Sequence, residues 1–404
     1  MVTQINWSRT QWAVGQGFFH SGVVEVGDSN VLYVFDCGSL NPVERRREID
    51  EFRARRAQKI DLLFLSHFDA DHVNGVRDLL IDVDVDTVVI PLVPAAERLY
   101  SFGKAISQDE DTANDDWYQH LISDPGTVLK ELSSNEVIEV HLVEGLPVQN
   151  SFEHPSSVRR SEGFSRTAHL NRIEARWALS GGVAGRSRRE NVWEWDVMTT
   201  AFAKKHQEDF LSKLAEKMNI SQIDLDIKIS SSSGIEDLLR DKNNWTALVT
   251  AYKGTFNDLN YSSLIVYSGP PAEMERQVRT YRARTCLERD ELGAWAVRPG
   301  WIGTGDQRMG RRCCGEMERR FESRLSHVGT MALPHHGSKC SFHAELLTIF
   351  GDNKPVCSAS VGTNNKYHHP SDKVIRLCSS NGNHVVVVTE NESSRWTESG
   401  VSRL

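Results

Sequence analysis

No run in the 404 residues reaches the ~18 consecutive apolar side chains that a membrane-spanning helix needs. The opening residues, Met1-Val2-Thr3-Gln4-Ile5-Asn6-Trp7-Ser8-Arg9, carry neither a basic flank ahead of an apolar stretch nor a small-residue cleavage site. No export leader is therefore expected, and the chain is read as cytoplasmic with no membrane partner. The seven cysteines, at 37, 286, 313, 314, 340, 357 and 378, include no CxxC pair. A zinc ribbon and a disulfide framework are thereby set aside, leaving reduced, mostly buried thiols. Glycine (28) and proline (12) are too sparse for a fibrous or disordered chain, and no repeat of fixed period is present. Positive charge is also in deficit. The net charge of −8 argues against a broad, sequence-independent nucleic-acid surface and leaves room only for a local one.

What is present is an ordinary globular composition, 39% hydrophobic and 25% charged, in a chain long enough for one large core or two smaller ones. Short apolar runs bounded by turn residues fill the first ~95 positions, as strands do. Val23 to Val26, Val31 to Phe35, Ile60 to Leu65 and Val83 to Leu92 are such runs. The charged, glycine-free stretch Pro42 to Lys59 reads as an exposed helix, and Val73 to Leu80 as the start of another. Between about Ala95 and Asn244 the texture turns polar, with an amphipathic helical spacing from Thr199 to Met218. Strands resume at Trp245 to Tyr252, Ser262 to Tyr267, Trp295 to Gly303, Thr330 to Pro334, Pro355 to Val361 and His384 to Thr389. The expected fold is an α/β sandwich whose sheet halves come from residues 1–95 and 245–404, with residues 96–244 a large, mainly helical or irregular insertion serving as lid or accessory subdomain.

The chemistry concentrates in one place. Ser66-His67-Phe68-Asp69-Ala70-Asp71-His72 puts four metal-capable side chains into six residues directly after a buried strand. A loop leaving a strand can turn imidazole nitrogens and carboxylate oxygens inward together, the donors that divalent cations take. The competing reading, a polar loop that merely caps the next helix, needs only Asp71 and not the other three.

This segment resembles the HxHxDH signature of metallo-β-lactamase-fold hydrolases, with Asp69 in the second position. That variant resembles the branch containing the hydrolase domain of bacterial DNA-uptake (competence) proteins. Other motifs follow in the same order. Val14-Gly15-Gln16-Gly17 and Phe35-Asp36-Cys37-Gly38 are similar to the first two strand motifs, and Asn260-Tyr261-Ser262-Ser263-Leu264 to the strand before the fourth. Gly303-Thr304-Gly305-Asp306 is similar to the TGD motif. Pro334-His335-His336-Gly337-Ser338, Ser360-Val361-Gly362, Asn364 and His369-Pro370-Ser371 close the series. The resemblance spans roughly residues 10–95 and 245–390, and it implies an αββα sandwich.

It also implies a ligand set. His67 and Asp69 would bind one divalent ion, Asp71 and His72 a second, with Asp306 bridging and a histidine of the His335/His336 pair completing the site. One or two ions are expected, Zn2+ or Mn2+, with the anionic Asp69 shifting the balance toward Mn2+ or Mg2+. The third-motif histidine has no clear match; His141, His154 and His169 are candidates by position alone. Catalytic roles are expected for Asp71, for His369 as proton donor or phosphate contact, for Lys339 as a positive charge beside an anionic substrate, and for Asn364 in orienting it.

The implied activity is that of a metal-dependent hydrolase, most concretely a phosphodiesterase or nuclease using a metal-activated hydroxide on DNA or RNA. Arg308 to Arg312 are expected to form a phosphate-facing wall beside Asp306. One alternative is a hydrolase of a small phosphoester or other ester-like molecule, with 96–244 excluding polymers. Another is a regulatory or defence protein that takes a protein partner through 96–244 and carries a gated or idle metal site. The tryptophans in and beside 96–244, namely Trp117, Trp177, Trp193, Trp195 and Trp245, read as core packing rather than base-stacking platforms.

Overall fold

The computed structural model describes residues 4–56, 59–132, 139–145, 175–182, 189–200, 204–255, 262–271, 281–285 and 298–403. Among these, strands β1 (Gln4–Gln11), β2 (Gly17–Val26), β3 (Ser29–Ser39), β4 (Lys59–Phe64), β5 (Asp84–Pro91) and β6 (Glu139–Val143) come first. They are followed by β7 (Ala175–Gly182), β8 (Arg189–Met198), β9 (Ile265–Gly269), β10 (Tyr281–Thr285), β11 (Gly300–Gly303), β12 (Val328–Ala332), β13 (Val356–Ser360), β14 (Val385–Val388) and β15 (Trp396–Arg403). One sheet runs in the order β10-β15-β1-β2-β3-β4-β5-β6 and the other β14-β13-β12-β11-β9-β8-β7.

The inner faces of the two sheets share one apolar layer, in which Phe18, Tyr33, Phe35 and Phe64 meet Trp195, Val266 and Trp301. Phe35 stands edge-on to Trp301 with ring centroids 5.4 Å apart. The outer face of the first sheet is covered by α1 (Pro42–Arg56) together with α4 (Ala95–Gln108), α6 (Asp116–Ser123), α8 (Lys204–Met218), α10 (Ser232–Arg240) and α11 (Trp245–Gly254). The outer face of the second sheet is covered by α12 (Arg311–Phe321), α13 (Glu345–Thr348) and α14 (Asp372–Ser380). The result is the αββα sandwich, each sheet buried on both sides. This is why β4 and β5, inside a parallel run β3-β4-β5-β6, read as near-continuous apolar segments.

Two expectations are corrected. Trp245 to Tyr252 is helix α11, not a strand: Trp245, Leu248 and Ala251 are buried at helical spacing, and tertiary packing on α4 and α8 overrides the β-branched Thr246, Val249 and Thr250. Nor do the sheet halves divide by chain end. β15 pairs along the whole of β1, Gln4 opposite Arg403, and β7 and β8 from the middle of the chain form the edge of the second sheet. Residues 96–244 thus contribute strands to both sheets, β6 to one and β7 and β8 to the other, as well as the helices α4, α6, α8 and α10. Among the described residues, no helix is long and apolar enough to cross a membrane.

The junction of β1, α1 and β15 is fastened by a buried ion pair. Arg395 reaches Glu48 through Nε–Oε2 at 2.7 Å and Nη2–Oε1 at 2.8 Å, and Ala13 N–H donates to Oε2 at 3.1 Å. Burial opposes the Glu48 charge, but the Arg395 guanidinium overcomes it and holds the carboxyl below the usual range. Because the folded-state pKa is depressed, this pair's contribution is present above the unfolded carboxyl range and is lost as pH falls through the folded value. Glu48→Ala removes the two short bonds to the buried Arg395, leaving it the longer contacts to Glu392 at 3.7 Å and Glu51 at 3.9 Å, and is expected to cost about 3 kcal/mol in urea-unfolding stability at neutral pH. A cost below about 1 kcal/mol would show that the pair is not what fastens this junction.

Candidate metal centre

The parallel strands β3, β4, β11, β12 and β13 all end at one edge of the sandwich, and the loops leaving them carry the polar residues. Loops at the carboxyl ends of parallel strands are where such folds gather ligands. The organising group is Asp36, at the end of β3 and fully buried, in a left-handed backbone conformation (φ 55°). Its Oδ1 accepts from Ser66 N–H at 2.6 Å, and its Oδ2 accepts from Ser66 Oγ–H at 2.6 Å and from His72 Nδ1–H at 2.8 Å. With its proton given to Asp36, Ser66 Oγ accepts from His67 Nδ1 at 2.8 Å. His336 Nδ1 lies 2.8 Å from the Ser360 carbonyl, which can only accept. The network therefore fixes one tautomer in all three rings, with each Nε2 lone pair facing inward.

Those nitrogens converge on carboxylates. His67 Nε2 is 3.5 Å from Oδ2 of both Asp69 and Asp306, and His72 Nε2 is 3.3 Å from Asp306 Oδ1. His336 Nε2 is 3.5 Å from Asp71 Oδ2 and 3.8 Å from Asp306 Oδ1. Nε2 of His67, His72 and His336, and Oδ1 of Asp69, are buried and make no hydrogen bond. Buried polar atoms left this way are costly. The separations match donors around one cation, which stand roughly 3.0–3.6 Å apart for bonds of about 2.0–2.2 Å. Two triads lie within cation-binding reach, His67–His72–Asp306 and Asp71–His72–His336. The residues present therefore fit a divalent ion.

The electrostatics agree. Burial opposes protonation of His67 and His72, but Asp306 with Asp69 for the first ring, and Asp306 with Asp36 for the second, hold both rings above the ordinary imidazole range. Burial likewise opposes ionisation of Asp69, Asp71 and Asp306, yet the Lys104 ammonium and the rings keep all three well below the usual carboxylate range. Such a cluster draws positive charge inward, as protons on the rings or as a cation between them.

Glycines set the approach. A Cβ on Gly38 would stand 2.5 Å from the His72 carbonyl carbon, and one on Gly17, at φ 150°, 2.6 Å from the Asp71 oxygen. The turn carrying Asp71 and His72, in α2 (Ala70–Val73), is thus seated directly on the backbones of β2 and β3. His335, His336 and Gly337 form three consecutive left-handed residues, φ 47°, 56° and 81°, pinned by His335 N–H donating to Gly305 O at 2.9 Å. His335 Nε2 reaches Asp306 Oδ2 at 3.6 Å, while its Nδ1 lies 3.2 Å from Ser341 Oγ and its ring meets His369 at 5.6 Å between centroids. His335 lines the cleft, while His336 sits beneath it.

That cleft, about 660 Å³, opens over Asp71 and is lined in part by Lys104, Lys253, Lys339, Lys366, Tyr367 and His369. Burial first, then the nearby His336 and His335, push the His369 ring down to about 3, so it is neutral at ordinary pH. Asn364 is exposed and outside the cleft; its neighbour Asn365 instead ties the turn, accepting His369 N–H at 2.7 Å and donating to His369 O at 2.9 Å. The expected arginine wall is corrected: among the described residues no arginine lines the cleft, and Arg311 pairs with Glu345 at 3.0 Å. His141 pairs with Glu139 at 3.0 Å on β6 and belongs to neither triad; His154 and His169 lie outside the described residues, as do Asn260 and Tyr261. Trp193, Trp195 and Trp245 are core residues.

Lys104 is the residue at this centre that sequence reasoning misses. It sits on α4, and its Nζ hydrogen-bonds Asp69 Oδ2. Further contacts from the same part of the chain reach the metal-type segment: Tyr118 O–H donates to Phe68 O at 2.9 Å, and Asn74 Nδ2 to Asp109 Oδ2 at 3.1 Å. An isolated lysine in an amphipathic helix carries no local motif, and only the tertiary fold brings it to Asp69.

Residues 14–141 match the family model of the Metallo-beta-lactamase superfamily. The matched stretch takes in the segment 66–72 and stops short of Asp306, His335 and His336. No curated protein matches the chain. The superfamily match and the buried His/Asp groups together indicate a metal-dependent hydrolase.

Asp36→Asn keeps a residue that tolerates the left-handed backbone but weakens the grip on His72 and Ser66. A 10- to 100-fold loss of Mn2+ or Zn2+ affinity is expected by calorimetry, with the far-UV spectrum unchanged. Unaltered affinity would remove Asp36 from any role in orienting the rings.

Proposed function

We propose that this protein is a metal-dependent phosphodiesterase acting on DNA or RNA, in keeping with the resemblance to the DNA-uptake hydrolase branch. The observation that carries the reading is the pairing of a buried His/Asp donor set with a cleft lined, among the described residues, by four lysines, Lys104, Lys253, Lys339 and Lys366, and a single carboxylate, Asp71. A positive wall around a cation-binding floor suits a substrate whose reacting group is itself anionic.

His72 and His336, with Asp71 and Asp306, would hold the cation. When bound, it supplies Lewis acidity toward a phosphoryl oxygen and makes water a nucleophile near neutral pH. The chain's own groups do the rest. Lys339 and Lys366 bind the phosphate oxygens at the rim, and the Tyr367 ring, 5.8 Å from His369 between centroids, offers a flat surface for a base or sugar. His369, neutral and lacking a hydrogen-bond partner at Nδ1, is placed to hydrogen-bond a phosphate or leaving oxygen.

A second reading has its own observation. A volume of about 660 Å³ is that of a small-molecule pocket, which favours a small phosphoester over a polymer.

Metal-stripped protein, resupplied in turn with Mn2+, Mg2+ and Zn2+, is expected to cut labelled single- or double-stranded DNA or RNA, and Asp71→Ala to abolish that activity. Cleavage of a polymer held by several phosphate contacts should fall steeply between 50 and 200 mM salt, by roughly tenfold or more. Turnover of a chromogenic phosphodiester with none on oligonucleotides would move the assignment to the small substrate. Bound metal with no turnover of either would overturn the phosphodiesterase reading.

A further inference from the structure

We infer that Lys104 is a built-in cation of this centre, standing where a second metal ion would sit, so that the protein works with one divalent ion per chain. The inference rests on the metal-hydrolase reading above and specifies its charge arrangement.

The lone-pair geometry supports one ion. Both candidate triads draw on His72, whose Nδ1 is committed to Asp36, leaving Nε2 as its single donor. One imidazole lone pair serves one cation, so the two triads cannot both be completed by it. The other position would be built from His67 Nε2 and Asp69 Oδ2, 3.5 Å apart, and there Asp69 Oδ2 is already bound by the Lys104 ammonium. Asp69 belongs to neither triad.

Charge leads to the same count. Lys104 binds Asp69, its charge is felt by Asp71 and Asp306 nearby, and these three carboxylates carry −3 between them. One divalent ion and one ammonium supply +2 and +1, which sums to zero in a buried place where uncompensated charge is costly. The fourth carboxylate, Asp36, is answered by its three hydrogen-bond donors. Two divalent ions with Lys104 in place would leave the same three carboxylates facing +5. The ammonium is also held firmly. Its side chain is 13% exposed, its helix α4 is packed into the core through Leu99, Phe102 and Ala105, and among the described residues no other lysine or arginine pairs with Asp69.

The position of Lys104 has a chemical consequence. An ammonium in the cleft lining, with one N–H held by Asp69, has its other two donors to offer an anionic substrate without competing for the ion's own coordination positions. It would thus take over the part of a second cation in neutralising the substrate's oxygens.

The test is a metal count that needs no turnover. Wild-type protein, Lys104→Ala and Lys104→Met are loaded with excess Mn2+, dialysed and assayed by plasma mass spectrometry, with the Mn2+ electron paramagnetic resonance spectrum recorded on each. The wild type is expected to hold one ion with the six-line spectrum of isolated Mn2+. Lys104→Ala is expected to hold two, with the broadened, multi-line spectrum of a coupled pair, because Asp69 is then released to join His67 and Asp306. Lys104→Met keeps the length and packing of the stem, so it serves if Lys104→Ala does not fold. Two ions in the wild type would overturn the inference whatever the variants do, as would a single ion in both folded variants. No bound metal in any of the three would instead overturn the metal-hydrolase reading itself.

Discussion

The centre depends on the burial of the Asp36 carboxylate. An ionised carboxylate taken out of water costs several kcal/mol unless donors replace its hydration. Here all three of the replacing donors belong to Ser66 and His72. The end of β3 is therefore bound to the loop after β4, and the same bonds set the ring tautomers of His72 and, through Ser66 Oγ, of His67. Packing supplies the reason this carboxylate is dry: Phe35, one residue before it, is wedged against Phe18 and Trp301 between the sheets. A core contact, a buried charge and the aim of two imidazole lone pairs are thus one continuous arrangement.

How much of this the sequence discloses follows from the range of the interactions. The segment His67 to His72 is legible because its donors are adjacent in the chain, and the order of the later motifs brings in Asp306 and the His335/His336 pair. The strands β3, β4, β5, β12 and β13 are legible because both faces of their sheets are covered there, leaving short apolar runs between turns, and the edge strand β14 is legible from its four consecutive valines. What is hidden is whatever depends on partners far along the chain. α11 passes for a strand because Thr and Val look extended until α4 and α8 are there to pack against. Lys104 passes for a surface lysine until α4 is laid across the loop holding Asp69. Asn365, not Asn364, holds the turn at His369, and a one-residue choice of that kind is made by backbone hydrogen bonds that no composition reveals.

The arginines teach a related lesson. Runs of guanidinium groups suggest a phosphate-binding wall, yet in this fold several of them serve architecture. Arg45 donates to Ser39 O, Arg53 to Ile81 O, and Arg320 and Arg324 close on Asp196, with Arg324 also reaching Glu194 at 3.0 Å. The planar fork of arginine suits such fixed, multiple bonds. The cleft is left to lysines, point charges on flexible stems that can follow a substrate.

Gly17 and Gly38 bring the turn of Asp71 and His72 into backbone contact with β2 and β3, with no side chain between as a cushion. A ligand turn seated on bare backbone cannot widen or contract to suit whatever ion arrives. Its donors, set 3.3–3.8 Å apart, combine imidazole nitrogens with carboxylate oxygens, a mixed set unlike the all-oxygen shell that calcium takes. How deep that turn can sit is therefore written into two positions that have no side chain to contribute, and any residue larger than glycine at either one would move the donors without touching them.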